Sequence, residues 1–432
     1  MERITLKKGY KISGIENSNY KSATYKNGIG TLIILTCWSL MFISCSKKST
    51  DPEPEDPDTV LPSVETSPPN TNYSPAFPGQ TRISGTKTSA AYNAKVLTSS
   101  LIRPWGITSL PDGRFLVTEK AGIIRMVTSL GDVGEAIGGV PSVNASGQGG
   151  LLGLCLDPDF ADNRMVYWSF SEPGNLTAIA KGRLANNERT FEGVTIIYRA
   201  NPAYAGVNHY GGRVLFDRSG HLLASTGERS DLATRAQAQS LNSGLGKILR
   251  ITKDGQPAPS NPFSGQAGAL SELYSYGHRN PQGLAVHPVT GDIWQGEHGP
   301  RGGDELNRLE AGANYGWPVI SYGIEYSGQR VGEGIQQRDG MMQPVYYWDP
   351  VISPSGMTFY KGNRIAEWQN NLFIACLSGM HIARLIIDNN RVVAEERLLV
   401  NEHQRFRDIT QGIDGALYAI TDGGRLYRID RG

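Results

Sequence analysis

The chain has 432 residues, with 42 Lys and Arg against 41 Asp and Glu, and a formal net charge of +1. This balance gives no indication of a nucleic-acid surface or of a strongly charged partner. The 52 Gly, 24 Pro and 19 Tyr, with charged residues at only 19 %, favour short strands joined by tight turns over helices. Composition therefore predicts an all-β protein.

The first 45 residues differ from the rest of the chain. Lys21 and Lys26 precede the apolar run GIGTLIILTCWSLMFIS, and Cys45 follows directly. The core of this run, residues 31–43, is shorter than the roughly 20 residues that a spanning helix needs. We therefore expect residues 1–45 to be an export signal with a lipobox-like end, rather than a spanning anchor. The predicted location is periplasmic or at the cell surface, with lipid attached to Cys45.

Residues 46–91 are rich in Pro, Ser, Thr and acidic residues, with little apolar pattern. Such a segment buries too little surface to offset its chain entropy, so it is predicted to be a disordered linker. Residues 92–432 form the predicted folded domain. Within it, Cys155 and Cys376 lie in apolar runs far apart in sequence. They are expected to be small buried residues rather than a disulfide or a metal site.

One strand-turn-strand unit recurs six times in this domain. The first copy is GITSLPDGRFLVTEKAGIIRMV, and later copies include RVLFDRSGHLLASTGE, GLAVHPVTGDIWQGEHG and DITQGIDGALYAITDG. Their Asp-Gly, Ser-Gly and Thr-Gly pairs suit hairpin turns that need positive φ. The repeat predicts a six-bladed β-propeller with ligand-binding loops at one end of its channel. The longest insertions fall between residues 227 and 246 and between residues 297 and 348.

Several arginines occur where a strand or loop would display them. Arg279 and Asn280 precede Pro281, which favours an extended preceding residue. Arg405 and Arg407 are two apart and so share one face of a strand. Two like charges on one face repel unless an anion or solvent lies between them. Taken with Arg279 they predict a polyanionic ligand, although an exposed edge is an equal alternative for the pair alone.

The segment WQGEHGPRGGDELNRLE concentrates hard oxygen donors. Glu297, Asp304, Glu305 and the loop carbonyls suit Ca²⁺ better than zinc. The alternative is a set of acidic turn residues, with Asp304 capping a short helix at DELNRLE. A single histidine, His209, stands in VNHYGGRVLF. By itself it is more typical of a turn or of packing than of proton transfer.

Six segments occur in the order GQGGLLGLCLDPDF, NHYGGRV, GHRNPQGLA, EHGPRGGDELN, NYGWP and RFRD. In this order they resemble the soluble quinoprotein sugar dehydrogenases, in particular the aldose sugar dehydrogenase branch. The resemblance extends from Tyr92 to the C-terminus. It implies a six-bladed propeller that uses pyrroloquinoline quinone (PQQ) and Ca²⁺ to oxidise aldoses at C1 to lactones. The electron acceptor is not identified by the sequence.

By this resemblance, His209 is the general base that takes the proton of the C1 hydroxyl, a role that a neutral imidazole suits near pH 7. The three carboxylates of PQQ are the polyanion expected from the arginines. The residues matched to the cofactor are Gln148, Arg279, Asn280, Tyr326, Leu377, Ser378, Gly379, Arg405 and Arg407.

The resemblance also implies metal and substrate positions. The carbonyls of Gly299 and Pro300 would hold a Ca²⁺ that polarises the quinone. Glu305 and Tyr315 match ligands of a second Ca²⁺ that stabilises the long loop. Trp348 would lie beside the sugar.

Two departures from the family pattern bear on activity. Relatives carry a lysine in the fifth blade, where this chain has Leu377–Gly379, so weaker contact with the quinone is expected. His381 is an alternative source of that charge. Some relatives have Asp where Asn208 precedes His209, and an amide does not stabilise a protonated imidazole as a carboxylate does.

Two other functions fit parts of the pattern. A carbohydrate- or partner-binding propeller could have kept calcium and lost the quinone. The missing lysine favours this alternative, and the two strand arginines oppose it. A calcium-dependent lactone hydrolase would need a metal that faces the channel and an acidic base nearby. No pattern in the sequence indicates an oligomeric state.

Overall fold

The computed structural model describes residues 60–432. The export-signal and lipid-anchor predictions, and the linker prediction up to residue 59, lie outside the described residues. Within residues 60–432, no helix is long and apolar enough to cross a membrane.

Regular structure in the described residues is almost entirely β. The strands are β1 (Leu61–Ser63), β2 (Ser84–Gly85), β3 (Tyr92–Thr98), β4 (Pro104–Ser109), β5 (Phe115–Glu119), β6 (Ile123–Val127), β7 (Val133–Ile137), β8 (Leu151–Leu156), β9 (Met165–Glu172), β10 (Leu176–Leu184), β11 (Phe191–Arg199), β12 (Val214–Phe216), β13 (Leu222–Thr226), β14 (Lys247–Ile251), β15 (Leu273–Tyr276), β16 (Pro281–Val286), β17 (Ile293–Glu297), β18 (Asp304–Arg308), β19 (Tyr346–Trp348), β20 (Pro354–Phe359), β21 (Leu372–Cys376), β22 (Ile382–Asp388), β23 (Arg391–Leu398), β24 (Phe406–Gln411), β25 (Leu417–Thr421) and β26 (Leu426–Arg431). The short helices are α1 (Phe160–Asn163), α2 (Leu232–Arg235) and the 3₁₀ turns Ala236–Gln239, Ala366–Trp368 and Val400–Glu402.

These strands form six antiparallel blades. Blades one to four are β4–β7, β8–β11, β12–β15 and β16–β19. Blade five is β20–β23, extended at its outer edge by β2 and β1. Blade six is β24–β26, completed by β3 from the beginning of the domain. The first strands of neighbouring blades contact each other in a closed ring. The predicted six-bladed propeller is confirmed.

The core lies between the blades. Strands β5, β13, β17, β21 and β25 are buried at every position, because each blade packs against a neighbour on both of its faces. This explains why each of these strands begins with consecutive apolar residues rather than with an alternating pattern. Both cysteines are free thiols; Cys376 in β21 is buried, as predicted, whereas Cys155 in β8 is only half-buried.

A buried ion pair links the first strands of several blades. Arg213 Nη1 lies 2.6 Å from Asp408 Oδ2, and both side chains are at most 7 % exposed. The Asp408 carboxylate also accepts from the backbone N–H of Ile107, and Arg213 Nε donates to the carbonyl of Gln282. The guanidinium lies 4.5 Å from the ring centroid of Trp105. This group of contacts joins blades one, three, four and six.

Residues 60–91 differ from the predicted disordered linker. We call residues 60–82 the N-terminal arm; it packs on the loops of blades four and five. The Asp349 carboxylate accepts from Asn70 N and Nδ2, both at 2.8 Å, and from Thr71 N and Oγ1, both at 2.9 Å. Arg82 Nη2 donates to the Asp349 carbonyl at 2.7 Å. The prediction was wrong because polar composition does not reveal a specific buried carboxylate elsewhere in the chain.

Replacing Asp349 by alanine should release the arm. Its carboxylate is the shared acceptor for both Asn70 and Thr71, so its removal leaves those donors without a partner. Limited proteolysis should then cut within residues 60–82 at least about tenfold faster than in the wild type, since cleavage follows the population of locally open chain. The matched control is Asp339→Ala, in an exposed loop. Equal cleavage rates in Asp349→Ala and in the wild type would contradict this role.

Candidate functional site

A cavity of about 550 Å³ lies at one end of the channel. Its walls are built from the residues that begin the first strand of a blade and those that follow the second strand. These two positions meet at the same end because the strands are antiparallel. The lining residues are Asn70, Trp105, Lys120, Gly147, Gln148, His209, Arg279, Gln282, His298, Gly299, Pro300, Arg301, Asp304, Tyr326, Pro350, Val351, Ser353, Leu377, Arg405 and Arg407.

His209 is held in this cavity by the carboxylate of Glu228, which no sequence motif indicates. His209 Nδ1 lies 2.6 Å from Glu228 Oε1, and both side chains are buried. His209 precedes β12 and Glu228 follows β13, its antiparallel neighbour, so the two loops meet. The backbone N–H of His209 donates to Gln148 Oε1 at 2.9 Å. A Cβ at Gly227 would lie 2.2 Å from the His209 carbonyl oxygen, so glycine is required for this approach.

The environment sets the protonation of this pair. Burial, followed by the positive charge of Arg279, lowers the pKa of His209 well below its usual value. Burial raises the pKa of Glu228 to about 7. His209 is therefore a neutral imidazole at pH 7, oriented through Nδ1, and its Nε2 has no hydrogen-bond partner within the described part of the chain. The exposed Asn208 provides only a backbone carbonyl, to Arg229 Nε. The concern about Asn208 is thus corrected, because Glu228 supplies the carboxylate.

The two strand arginines share an internal anion. Arg405 Nε lies 3.0 Å from Asp422 Oδ2, and Arg407 Nε lies 2.8 Å from Asp422 Oδ1. Arg407 Nη1 also donates to Gln282 Oε1 at 2.9 Å. Since one carboxylate neutralises one of the two charges, the pair keeps a net positive charge at the cavity wall. The arginine pattern predicted an anion here, and that anion is in part Asp422, which no motif indicates.

Arg279 and Asn280 occupy different places. Arg279 Nη1 donates to the carbonyls of His298 at 3.0 Å and Gly299 at 2.6 Å, and its side chain lines the cavity. Asn280 is fully buried and does not line the cavity. Its Oδ1 accepts from the backbone N–H of Gly211, in the loop that carries His209. Asn280 thus supports the loop that carries His209, and its contact with a cofactor stays a prediction.

Within the segment DELNRLE, Asp304–Arg308 form strand β18, and there is no capped helix. A strand is favoured because these residues pair with β17 and β19 inside blade four. The buried Asp304 carboxylate accepts from the backbone N–H groups of Gly299 at 2.7 Å, Ile352 at 2.8 Å and Ser353 at 2.6 Å. Burial raises the pKa of Asp304 to about 7. Asp304 thus fixes two loops of the cavity wall.

The residues predicted to bind metal line a common region. Gly299 and Pro300 border the main cavity, and a small cavity beside it, of about 10 Å³, is lined by Glu305 and Tyr315 among others. The Tyr315 hydroxyl donates to the Arg308 carbonyl and accepts from the backbone N–H of Glu310, so the backbone carbonyl of Tyr315 is its freer oxygen donor for a metal. No group of three or more His, Cys, Asp or Glu side chains suited to a metal occurs in residues 60–432.

The fifth blade supplies no cation at the cavity. Leu377 lines it, whereas Ser378 and Gly379 do not. Ser378 Oγ instead lies 2.7 Å from Ser353 Oγ. Burial lowers the pKa of His381 to about 4, so this histidine is neutral near pH 7 and does not replace the missing lysine.

Blade one, in contrast, places a cationic side chain at the cavity. Lys120 follows β5, lines the cavity, and donates from Nζ to the Gly147 carbonyl at 2.7 Å. Burial, with the charges of Arg103 and Arg407, lowers the pKa of Lys120 to about 8. The sequence offered one sign of this residue: it is the charged position at the turn after the second strand of the first repeat.

Trp348 is not beside the cavity. It is 3 % exposed, packs in the core between blades four and five, and donates from Nε1 to Glu395 Oε1 at 3.4 Å. The predicted substrate contact is therefore wrong for this side chain, which points into the sheet interior. Tyr326, by contrast, is 72 % exposed and lines the cavity, and its contact with a cofactor stays a prediction.

Residues 101–428 match the family model for glucose/sorbosone dehydrogenases. The chain is 38 % identical over 348 residues to the aldose sugar dehydrogenase YliI of Escherichia coli strain K12, covering 79 % of this chain and 93 % of that protein. A crystal structure of a glucose dehydrogenase shares 43 % identity, with a TM-score of 0.76, over 79 % of this chain and 99 % of that one. The PQQ-bound aldose sugar dehydrogenase of Streptomyces coelicolor shares 32 % identity, with a TM-score of 0.66, over 80 % and 99 %. The resemblance inferred from the motifs is confirmed.

Proposed function

Because this chain belongs to the glucose/sorbosone dehydrogenase family, we propose that it oxidises aldoses at C1 to lactones, with PQQ as hydride acceptor and Ca²⁺ as a second cofactor. The observation that carries the proposal is the buried His209–Glu228 pair, 2.6 Å apart, in a cavity lined by cations. An imidazole that is oriented by a carboxylate can act as the general base that removes a hydroxyl proton.

The cavity fits an anionic quinone in size and charge. Its volume of about 550 Å³ lies within the range of small-molecule sites. Arg279 Nε and His298 Nε2 are buried and have no hydrogen-bond partner within the described residues, and both side chains border the cavity. Arg405, Arg407 and Lys120 would bind carboxylates of the quinone through charge-assisted hydrogen bonds. Lys120 would thereby compensate for the absent fifth-blade lysine.

The oxygen donors also fit calcium. The Pro300 carbonyl accepts no hydrogen bond within residues 60–432, while the Gly299 carbonyl accepts one from Arg279 and keeps a second lone pair. Ca²⁺ held by these carbonyls would polarise the quinone as a Lewis acid. The Glu305 carboxylate has one hydrogen bond, from Asn307 Nδ2 at 3.2 Å. Burial and then the charge of Glu297 raise its pKa well above the usual value, as expected where a cation would bind.

The chain's own residues would then move the proton. His209 Nε2 faces the cavity with its lone pair free, since Glu228 engages Nδ1. It would accept the C1 hydroxyl proton as the C1–H bond breaks, and Glu228 would stabilise the resulting imidazolium. When bound, the quinone supplies the acceptor for the hydride, which carries two electrons from C1. Gln148 and Asn280 keep the His209 loop in place through its backbone N–H groups.

Reconstitution tests the proposed function. Purified protein is mixed with PQQ and CaCl₂, and dye reduction is followed with a panel of aldoses. Sugar-dependent reduction that requires both additions is the expected result. Absence of both quinone binding and sugar oxidation would reject the proposal. Lactone hydrolysis with calcium alone would instead support the hydrolase alternative.

The pH dependence of turnover should report on Glu228. The carboxylate must be ionised to accept from His209 Nδ1, and its pKa is about 7, so kcat should rise as the pH increases from 6 to 8. Glu228→Gln should lower kcat by about 100-fold and remove this rise, because the amide does not titrate. Stopped-flow or steady-state rates across this range provide the measurement. Glu192→Gln, at an exposed outer-strand position, is the control. A rise that persists in Glu228→Gln would assign the titration to another group.

A further inference from the structure

The cavity holds more positive charge than its own acids balance. Its cationic side chains are Lys120, Arg279, Arg301, Arg405 and Arg407, against one lining carboxylate, Asp304. Asp304 and Asp422 together offset two of these five charges, which leaves three. The three carboxylates of PQQ would offset these three. Ca²⁺ held beside the quinone would then leave the cavity with a net positive charge.

Arg301 is the cation best placed to remain. It lies in the loop between β17 and β18 of blade four, which faces blade one across the ring. Lys120 belongs to blade one, and Arg405 and Arg407 begin blade six, so these three cations cluster on the opposite wall. Within residues 60–432, Arg301 has no ion pair, and its Nη1 and Nη2 have no hydrogen-bond partner.

The N-terminal arm fixes the orientation of this guanidinium. Arg301 Nε donates to Asn70 Oδ1 at 3.0 Å. Asn70 is itself held by the Asp349 carboxylate, through its backbone N–H and its Nδ2. Because Nε is engaged, the edge formed by Nη1 and Nη2 is left for a ligand. That edge matches a carboxylate, with two parallel hydrogen bonds.

We propose that Arg301, positioned by Asn70, forms a carboxylate subsite at the cavity mouth, and that acidic aldoses such as hexuronic acids are the preferred substrates. This inference rests on the proposed function, since it names the substrate class of the same site. Asn70 lies outside residues 101–428, the segment that matches the family model. The subsite is thus completed by a part of the chain beyond the matched family segment.

The test compares D-glucuronate with D-glucose, which differ only at C6, using PQQ- and Ca²⁺-loaded protein. We expect kcat/KM to be at least about tenfold higher for glucuronate in the wild type. Arg301→Gln should lower kcat/KM for glucuronate about 10- to 100-fold, the range for a charged hydrogen-bonded pair, and leave glucose within about twofold. Asn70→Ala should raise KM for glucuronate alone, with unchanged thermal stability. Added NaCl should weaken glucuronate use and not glucose use.

The controls separate this proposal from its alternatives. Arg189→Gln, on the exposed outer side of blade two, should change neither sugar. An equal loss for both sugars in Arg301→Gln, or no preference in the wild type, would overturn the proposal. Quinone affinity is measured by tryptophan fluorescence, and weaker quinone binding in Arg301→Gln would assign Arg301 to the cofactor instead. If the wild type oxidises no sugar, the proposed function fails. In that case, calorimetric titration with both sugars tests the subsite separately. The subsite is supported if the wild type binds glucuronate more tightly than glucose and if Arg301→Gln abolishes this preference.

Discussion

Replacing His209 by asparagine should lower kcat by about two to four orders of magnitude, the usual contribution of a positioned general base, while PQQ affinity stays nearly unchanged. Asparagine has no basic nitrogen, so it cannot accept the C1 hydroxyl proton. It is preferred to alanine because His209 has φ +46, a left-handed conformation that asparagine tolerates. Steady-state dye reduction gives kcat, and fluorescence titration gives the quinone affinity.

His403→Asn is the matched control for this substitution. His403 also has a left-handed backbone, with φ +50, and is exposed outside the cavity. It should retain wild-type kcat. Parallel losses of turnover and quinone binding in His209→Asn would show that His209 holds the cofactor or the loop rather than a proton.

The largest loss of stability is expected for Asp408→Asn, at about 3–5 kcal/mol in the free energy of unfolding. The substitution leaves the buried Arg213 guanidinium without its carboxylate, 2.6 Å away in the wild type. The free-energy cost of the unpaired buried guanidinium exceeds the stabilisation that a hydrogen bond to the neutral Asn amide provides. Urea unfolding followed by tryptophan fluorescence measures the change.

Two comparisons test whether this loss comes from the unpaired charge. Arg213→Met removes that charge, so Asp408→Asn should cost less in an Arg213→Met background than alone. Glu333→Gln breaks an exposed pair with Arg338 and should cost only about 0–1 kcal/mol. Equal cost of Asp408→Asn in both backgrounds would locate its effect in the hydrogen bond from Ile107 instead.

The propeller was predictable because its blades are local. Each turn and its flanking strands are contiguous in sequence, so the six hairpin units can be counted directly. The arm and β18 were not predictable in the same way. Asn70 and Thr71 are ordered by Asp349, nearly 280 positions away. DELNRLE has helix-forming composition, and its pairing within blade four decides its conformation.

In the candidate site, too, residues in short motifs were predictable and residues brought in by distant contacts were not. His209, Arg279, Arg405 and Arg407 belong to short motifs, and the structure places all four at one cavity. Glu228 carries no motif of its own, since its role depends on the antiparallel pairing of β12 with β13. Lys120, Asp422 and Asn70 likewise come from other blades or from the arm. Trp348 was misplaced because a motif gives the position of a residue in the chain and not the face of the strand on which it lies.

The pairing of β3 with β26 determines when the ring can exist. Tyr92 pairs with Arg431, so blade six requires both ends of the domain. A chain emerging from a ribosome cannot complete the ring until its last strand is available. Contacts between such distant segments are expected to form slowly. Until then, the outer edge of β25 remains open to other strands, and loss of β26 or β3 would leave an inner strand of blade six as an exposed, aggregation-prone edge.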